Sequence, residues 1–154
     1  MSSLGFIVFL LIFQGIISLG HFVIAKVAIT SFGLVGVEAL VVMRTLFAMS
    51  FLFMIASVLT RYIDNFFSQT LYTVAAVWLG IFLYAFLISL VYGVLLPLIS
   101  MSDVFLAHRF LISCVVFSIP VLFSAYGIIN ANTPVYTYYS VTLPHLPEQW
   151  KGKK

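Results

Sequence analysis

The sequence predicts an all-α integral membrane protein, a four-span up-down bundle of transmembrane helices followed by a short extended, β-like C-terminal tail. Three observations carry this. Of 154 residues, 64% are hydrophobic and only 7% charged, where a soluble domain carries about 25% charged residues. The apolar residues gather into four stretches, each near the roughly 20 residues that cross about 30 Å of hydrocarbon. After Asn130 the composition changes abruptly. So little polar surface excludes a water-soluble fold of this size, and a single cysteine, Cys114, excludes a disulfide scaffold.

The first span covers about residues 4–25, broken only by Gln14 and His21 and closed by Lys26. A cleaved signal peptide competes for this segment, but Met1-Ser2-Ser3 offers no basic residue and no A-x-A site follows. The second span covers about 40–59, with Arg44 near one end and Thr60-Arg61 closing the other. The third runs over about 71–98, with Pro97 near its end. The fourth covers about 110–129, with Pro120 near its middle. A kink is expected there, the freed carbonyl being met by a neighbour such as Ser118 or by water. The connections, about 26–39, 61–70 and 99–109, are short, which favours antiparallel neighbours. Residues 1–130 are thus one transmembrane domain with both ends on one side. Arg61, Lys151, Lys153 and Lys154 fall on that side, against Lys26, Arg44 and Arg109 on the other. The count leans towards cytoplasmic termini in a cell membrane.

Residues 131–154 read ANTPVYTYYSVTLPHLPEQWKGKK. Between Pro134 and Pro144, Val135, Thr137, Tyr139, Val141 and Leu143 alternate with Tyr136, Tyr138, Ser140 and Thr142, the pattern of a strand. A lone strand has no partner for its backbone groups. Its partners are expected in another chain or in further sequence, so 131–154 is read as a linker and the first strand of a missing C-terminal domain.

Ionisable residues inside spans are functional suspects, because lipid burial is costly. Only fifteen residues, Thr45 to Leu59, separate Arg44 from Thr60, about 22 Å of helix. Arg44 is expected to snorkel from the span end; a substrate or ion contact inside the bundle is the competing role. Gln14 and His21 lie seven apart and share a helix face, which predicts hydrogen bonding between helices. A proton relay wants an intramembrane carboxylate, and Glu38, Asp64 and Asp103 all fall in connections or at span ends. The possible metal donors His21, His108, His145, Asp64, Asp103 and Cys114 lack ligand spacing. Ser102 or Asp103 reads better as the N-cap of the next helix. Cys114 has no base nearby, and no nucleophile–base pair or phosphate loop occurs. The small pairs Ala76/Gly80 and Ser89/Gly93 are expected to let helices approach closely. No catalytic, metal or substrate residue is assigned. The lipid bilayer is the expected partner, and without a basic stripe among aromatics nucleic acid is not.

One further pattern runs along the chain. Ala125-Tyr126-Gly127 is followed by Asn130-Ala131, Thr133-Pro134-Val135, the alternating strand, Leu143-Pro144 and Lys151-Gly152-Lys153-Lys154, with Trp78-Leu79-Gly80 earlier in the third span. In that order these elements resemble the N-terminal membrane region of membrane-anchored, calcineurin-like metallophosphoesterases. The resemblance implies the anchor of a hydrolase. Its divalent metal pair, such as manganese, iron or zinc, would activate water against a phosphoester and sit wholly in the missing domain. The family's metal ligands would all follow Lys154, and no Asp-x-His, Gly-Asp or Gly-Asn-His-Asp motif occurs here. The resemblance therefore carries over no site residue. Two other functions fit the residues: a complete four-span scaffold or subunit whose tail pairs with a partner's sheet edge, or a small transporter working through Arg44.

Overall fold

The computed structural model describes residues 3–133. Its elements are helices α1 (Ser3–Phe32), α2 (Val37–Ser50), α3 (Leu52–Tyr62), α4 (Phe66–Ile99) and α5 (Asp103–Ala131). Phe51, with φ −87° and ψ −11°, joins α2 to α3 without leaving the right-handed helical region. The two therefore make one span, Val37–Tyr62. Four helices are long and apolar enough to cross a membrane, as in a multi-pass membrane protein. The strand expected between Pro134 and Pro144 lies outside the described residues.

With α2 and α3 taken together, each helical span is longer than the apolar stretch that announced it. Hydropathy marks what can sit in hydrocarbon, whereas the ends of a helix are fixed by caps. Lys26 does not close α1, which continues six residues further to Phe32. The stop is Gly33, at φ +69°, after which the Leu34 N–H donates to the Ile29 carbonyl at 3.0 Å in a Schellman turn. α4 starts earlier than expected because Asn65 and Ser68 cap it reciprocally. The Asn65 side chain accepts from the Ser68 N–H at 2.9 Å, and the Asn65 N–H donates to Ser68 Oγ at 3.2 Å. Ser102 occupies the N-cap position of α5 as its spacing predicts, but makes no side-chain capping bond. Asp103 instead puts a negative charge in the first turn. Arg109, expected to end a connection, consequently sits inside α5.

Side-chain contacts fix the helix directions. Phe13 packs 6.4 Å from Phe53 while Phe22 shares a recess with Met43, so α2 and α3 run antiparallel to α1. Gly20 faces Phe82 and Gly93 faces Val27, so α4 runs parallel to α1. Phe32 lies 5.7 Å from Phe110, and Tyr84 lies 6.0 Å from Phe123, so α5 is antiparallel to both. The start of α1 and the end of α5 therefore share one end of an up-down bundle. α1 packs against α2, α4 and α5 and is the most enclosed span. The apolar core, Tyr92, Leu96 and Phe105 with Val27, Phe117 and neighbours, lies where α1, α4 and α5 meet. Most other large apolar side chains face outward, which lipid as solvent permits.

Two expectations about packing need correction. α5 continues through the buried Pro120, and Ser118 Oγ donates to the Val115 carbonyl at 2.7 Å. That is not the Val116 carbonyl which proline cannot serve. Of the two small pairs, Ser89/Gly93 packs: Ser89 is buried, and a Cβ on Gly93 would lie 2.9 Å from Val27 Cγ2. Gly80 has nothing within 4 Å of such a Cβ, whereas Gly20, which the spacing did not single out, would press a Cβ to 2.6 Å from the Phe82 ring.

Gly33 and Gly36 both hold positive φ, but only at Gly33 does the Arg109 guanidinium occupy the place of a Cβ. Gly36, at φ +59° and ψ −124°, lies outside the left-handed helical well, so Gly36→Ala is expected to cost about 2–3 kcal/mol of stability from backbone strain alone. Gly33→Ala is expected to cost about 1 kcal/mol from strain and roughly 1–2 kcal/mol more from its clash with the guanidinium. Unfolding of both variants in detergent micelles tests this, and an unchanged stability in either would contradict it.

Candidate functional site

The polar chemistry of the bundle is concentrated on α1. Gln14 and His21 do share its buried face, at 8% and 1% exposure, but each serves a different neighbour. Gln14 Nε2 donates to Ser18 Oγ at 3.0 Å and to the Ser50 carbonyl at 3.2 Å. Ser50 Oγ spends its proton on the Phe47 carbonyl at 2.7 Å, so Ser18 Oγ is the donor in its 3.0 Å contact with Ser50 Oγ. A chain of donors thus runs from α1 into α2 and ends on a backbone carbonyl. It arrives where α2 gives way to α3, and there the Phe51 N–H bonds Ala48, three residues back, at 3.2 Å. A side chain reaching into the helical ladder accounts for the step.

His21 faces α4. The Trp78 indole N–H donates to His21 Nε2 at 3.2 Å, and His21 Nδ1 lies 2.9 Å from the Ile17 carbonyl. Indole is a donor only, so Nε2 accepts and Nδ1 carries the proton. Both ring nitrogens of a neutral imidazole are then satisfied. The ring also stacks on Phe82 at 4.3 Å and 7°. This arrangement joins helices; it offers no acceptor towards which a proton would move.

A third cluster closes the far end of α1. Arg109 of α5 donates from Nη2 to the Thr30 carbonyl at 2.8 Å and from Nε to the Ser31 carbonyl at 3.3 Å. These carbonyls belong to the last turn of α1, where the helix leaves acceptors without partners and a partial negative charge. Gly33 makes room for the guanidinium. Sequence reasoning missed this contact, as it missed Ser18, Ser50 and Trp78. The only local signal was Gly33 as a helix stop.

The remaining candidates do not converge. Arg44 is exposed on α2, seven residues from its start, beside a recess lined by Phe22, Met43 and Phe47. That placement suits snorkelling. Asp64 accepts from Gln69 Nε2 at 2.8 Å, and His108 Nδ1 lies 3.1 Å from the Val104 carbonyl of its own helix. Asp103 and His108 are both exposed, and Cys114 is an exposed free thiol. His145 lies outside the described residues. Among the described residues no three His, Cys, Asp or Glu side chains come together.

Because His21 and Trp78 satisfy one another, their losses are expected to be non-additive. Trp78→Phe leaves His21 Nε2 bare, and His21→Leu leaves the indole bare, whereas the double variant leaves neither. A double-mutant cycle read by unfolding in micelles should give a coupling near the ~0.6 kcal/mol typical of such bonds and below ~1.7 kcal/mol. Strict additivity would show that the bond contributes nothing.

Compared with known proteins, the chain matches no family model, no curated protein and no solved structure.

Proposed function

We propose that the chain is the membrane-anchoring region of a metal-dependent phosphoesterase, held in the cell membrane with both termini at the cytoplasmic face. The observation that carries this reading is the order of elements from Ala125-Tyr126-Gly127 to Lys151-Gly152-Lys153-Lys154. It is supported by where α5 ends: the last helical residue is Ala131, one residue short of the Thr133-Pro134-Val135 step that resembles the entry into a catalytic domain's first strand. The polar side chains of α1 fit an anchoring role as well, since Gln14, Ser18 and His21 bond to neighbouring helices or to α1 itself. In this reading the metal pair and its activated water belong to the catalytic domain, and the strand over 135–143 pairs within that domain's sheet. The outward-facing Arg44 gives a transporter little to work with.

Membranes carrying the natural open reading frame should hydrolyse bis(p-nitrophenyl) phosphate when manganese is added and lose that activity to a chelator. The purified 154-residue chain should not hydrolyse it above background. Hydrolysis by the 154-residue chain itself would contradict the assignment. A reading frame that stops after codon 154 would do so too, and would favour a scaffold whose tail pairs with a partner's sheet edge.

A further inference from the structure

At the end of the bundle where α1 and α4 finish and α5 begins, a cavity of about 360 Å³ opens between these three helices. Lys26 and Arg109 both line it, with the hydroxyl-bearing Thr30 and Ser100, and no lining residue is acidic. Arg109 spends Nε and Nη2 on α1 carbonyls, which leaves three of its five N–H donors for another acceptor. The Lys26 ammonium lies 6.0 Å over the Phe22 ring, and among the described residues no carboxylate pairs with it. It sits six residues inside α1, about 9 Å from the helix end, where an unpaired cation is costly in lipid. The rest of the lining, including Val27, Leu96, Pro97 and Leu106, is apolar.

We propose that this cavity binds an anionic phospholipid, its phosphate between Lys26 and Arg109 and an acyl chain along the apolar wall. Charge complementarity selects the headgroup: two cationic residues line the space, and among the described residues no carboxylate does. Depth selects a lipid over a soluble anion, because Arg109 is level with the last turn of α1, where a bilayer places its phosphates, and the wall continues into hydrocarbon. Arg109 also covers the Thr30 and Ser31 carbonyls, so the negative end of α1 does not repel the phosphate. Gly93 completes the lining by letting α4 approach Val27.

The test is native mass spectrometry of the full chain purified in detergent and titrated with phosphatidylglycerol or phosphatidylcholine of matched acyl chains. The chain should retain one phosphatidylglycerol in preference to phosphatidylcholine. Lys26→Gln, at an exposed position that does not cap a helix, should weaken that preference about fivefold. Arg44→Gln, which removes a cation outside the cavity, should leave it unchanged. Arg109→Lys keeps one charge but loses the fork, and should retain an intermediate preference. Equal retention of both lipids would overturn the proposal, as would an unaltered preference in Lys26→Gln or an equal loss in Arg44→Gln. Displacement of the lipid by millimolar inorganic phosphate would overturn it in favour of a soluble anion.

Discussion

A polar group inside hydrocarbon has no water to bond, and that constraint governs α1 and, through it, the arrangement of the other helices. Apolar contact does not select a neighbour when lipid tails are as apolar as leucine. Directed bonds can. Gln14 and Ser18 reach only Ser50 of α2, His21 takes the indole N–H of Trp78 on α4, and the α1 carboxyl end is closed by Arg109 of α5. Each neighbour of α1 is thus tied to it by at least one side chain with a defined partner. The ties occur at different heights along α1, so they fix rotation and vertical register together.

The buried polar groups of α4 and α5 behave differently. Ser89, Ser113 and Ser124 are buried, and among the described residues their hydroxyls, like the Tyr92 hydroxyl and Gln14 Oε1, find no hydrogen-bond partner. These serines work by size, allowing close approach as small residues do between membrane helices. Aromatic pairs such as Tyr84 with Phe123 and Tyr92 with Phe117 fill the space around them. Hydrogen bonds thus tie α1 to its neighbours, while aromatic rings pack between α4 and α5. The cavity beside Lys26 and Arg109 opens where α1, α4 and α5 meet.

The four spans were legible because hydropathy over 20 residues reports directly on what can enter a bilayer, and the shared face of Gln14 and His21 followed from helical period alone. Their partners were not legible. Gln14 meets Ser50 at a separation of 36 residues, His21 meets Trp78 at 57, and Arg109 meets Thr30 at 79, and no local pattern encodes such pairings. Lys26 and Arg109 were read as span ends because charge normally marks the water boundary, yet both lie within helices. A long cationic side chain can instead stay helical and direct its head to a carbonyl or a ring. The cap formed by Asn65 and Ser68 lay outside the apolar stretch, so hydropathy placed the start of α4 too late. The alternating residues after Pro134 lie outside the described residues, and their reading rests on the sequence.

The up-down arrangement on which all of this depends is most directly tested by labelling single cysteines with a membrane-impermeant maleimide. With Cys114→Ser as background, Glu38→Cys and Ser102→Cys should react from the same side of sealed vesicles, and Asp64→Cys only from the opposite side. Reaction of all three from one side would contradict the four-span bundle and the meeting of helix ends at Arg109.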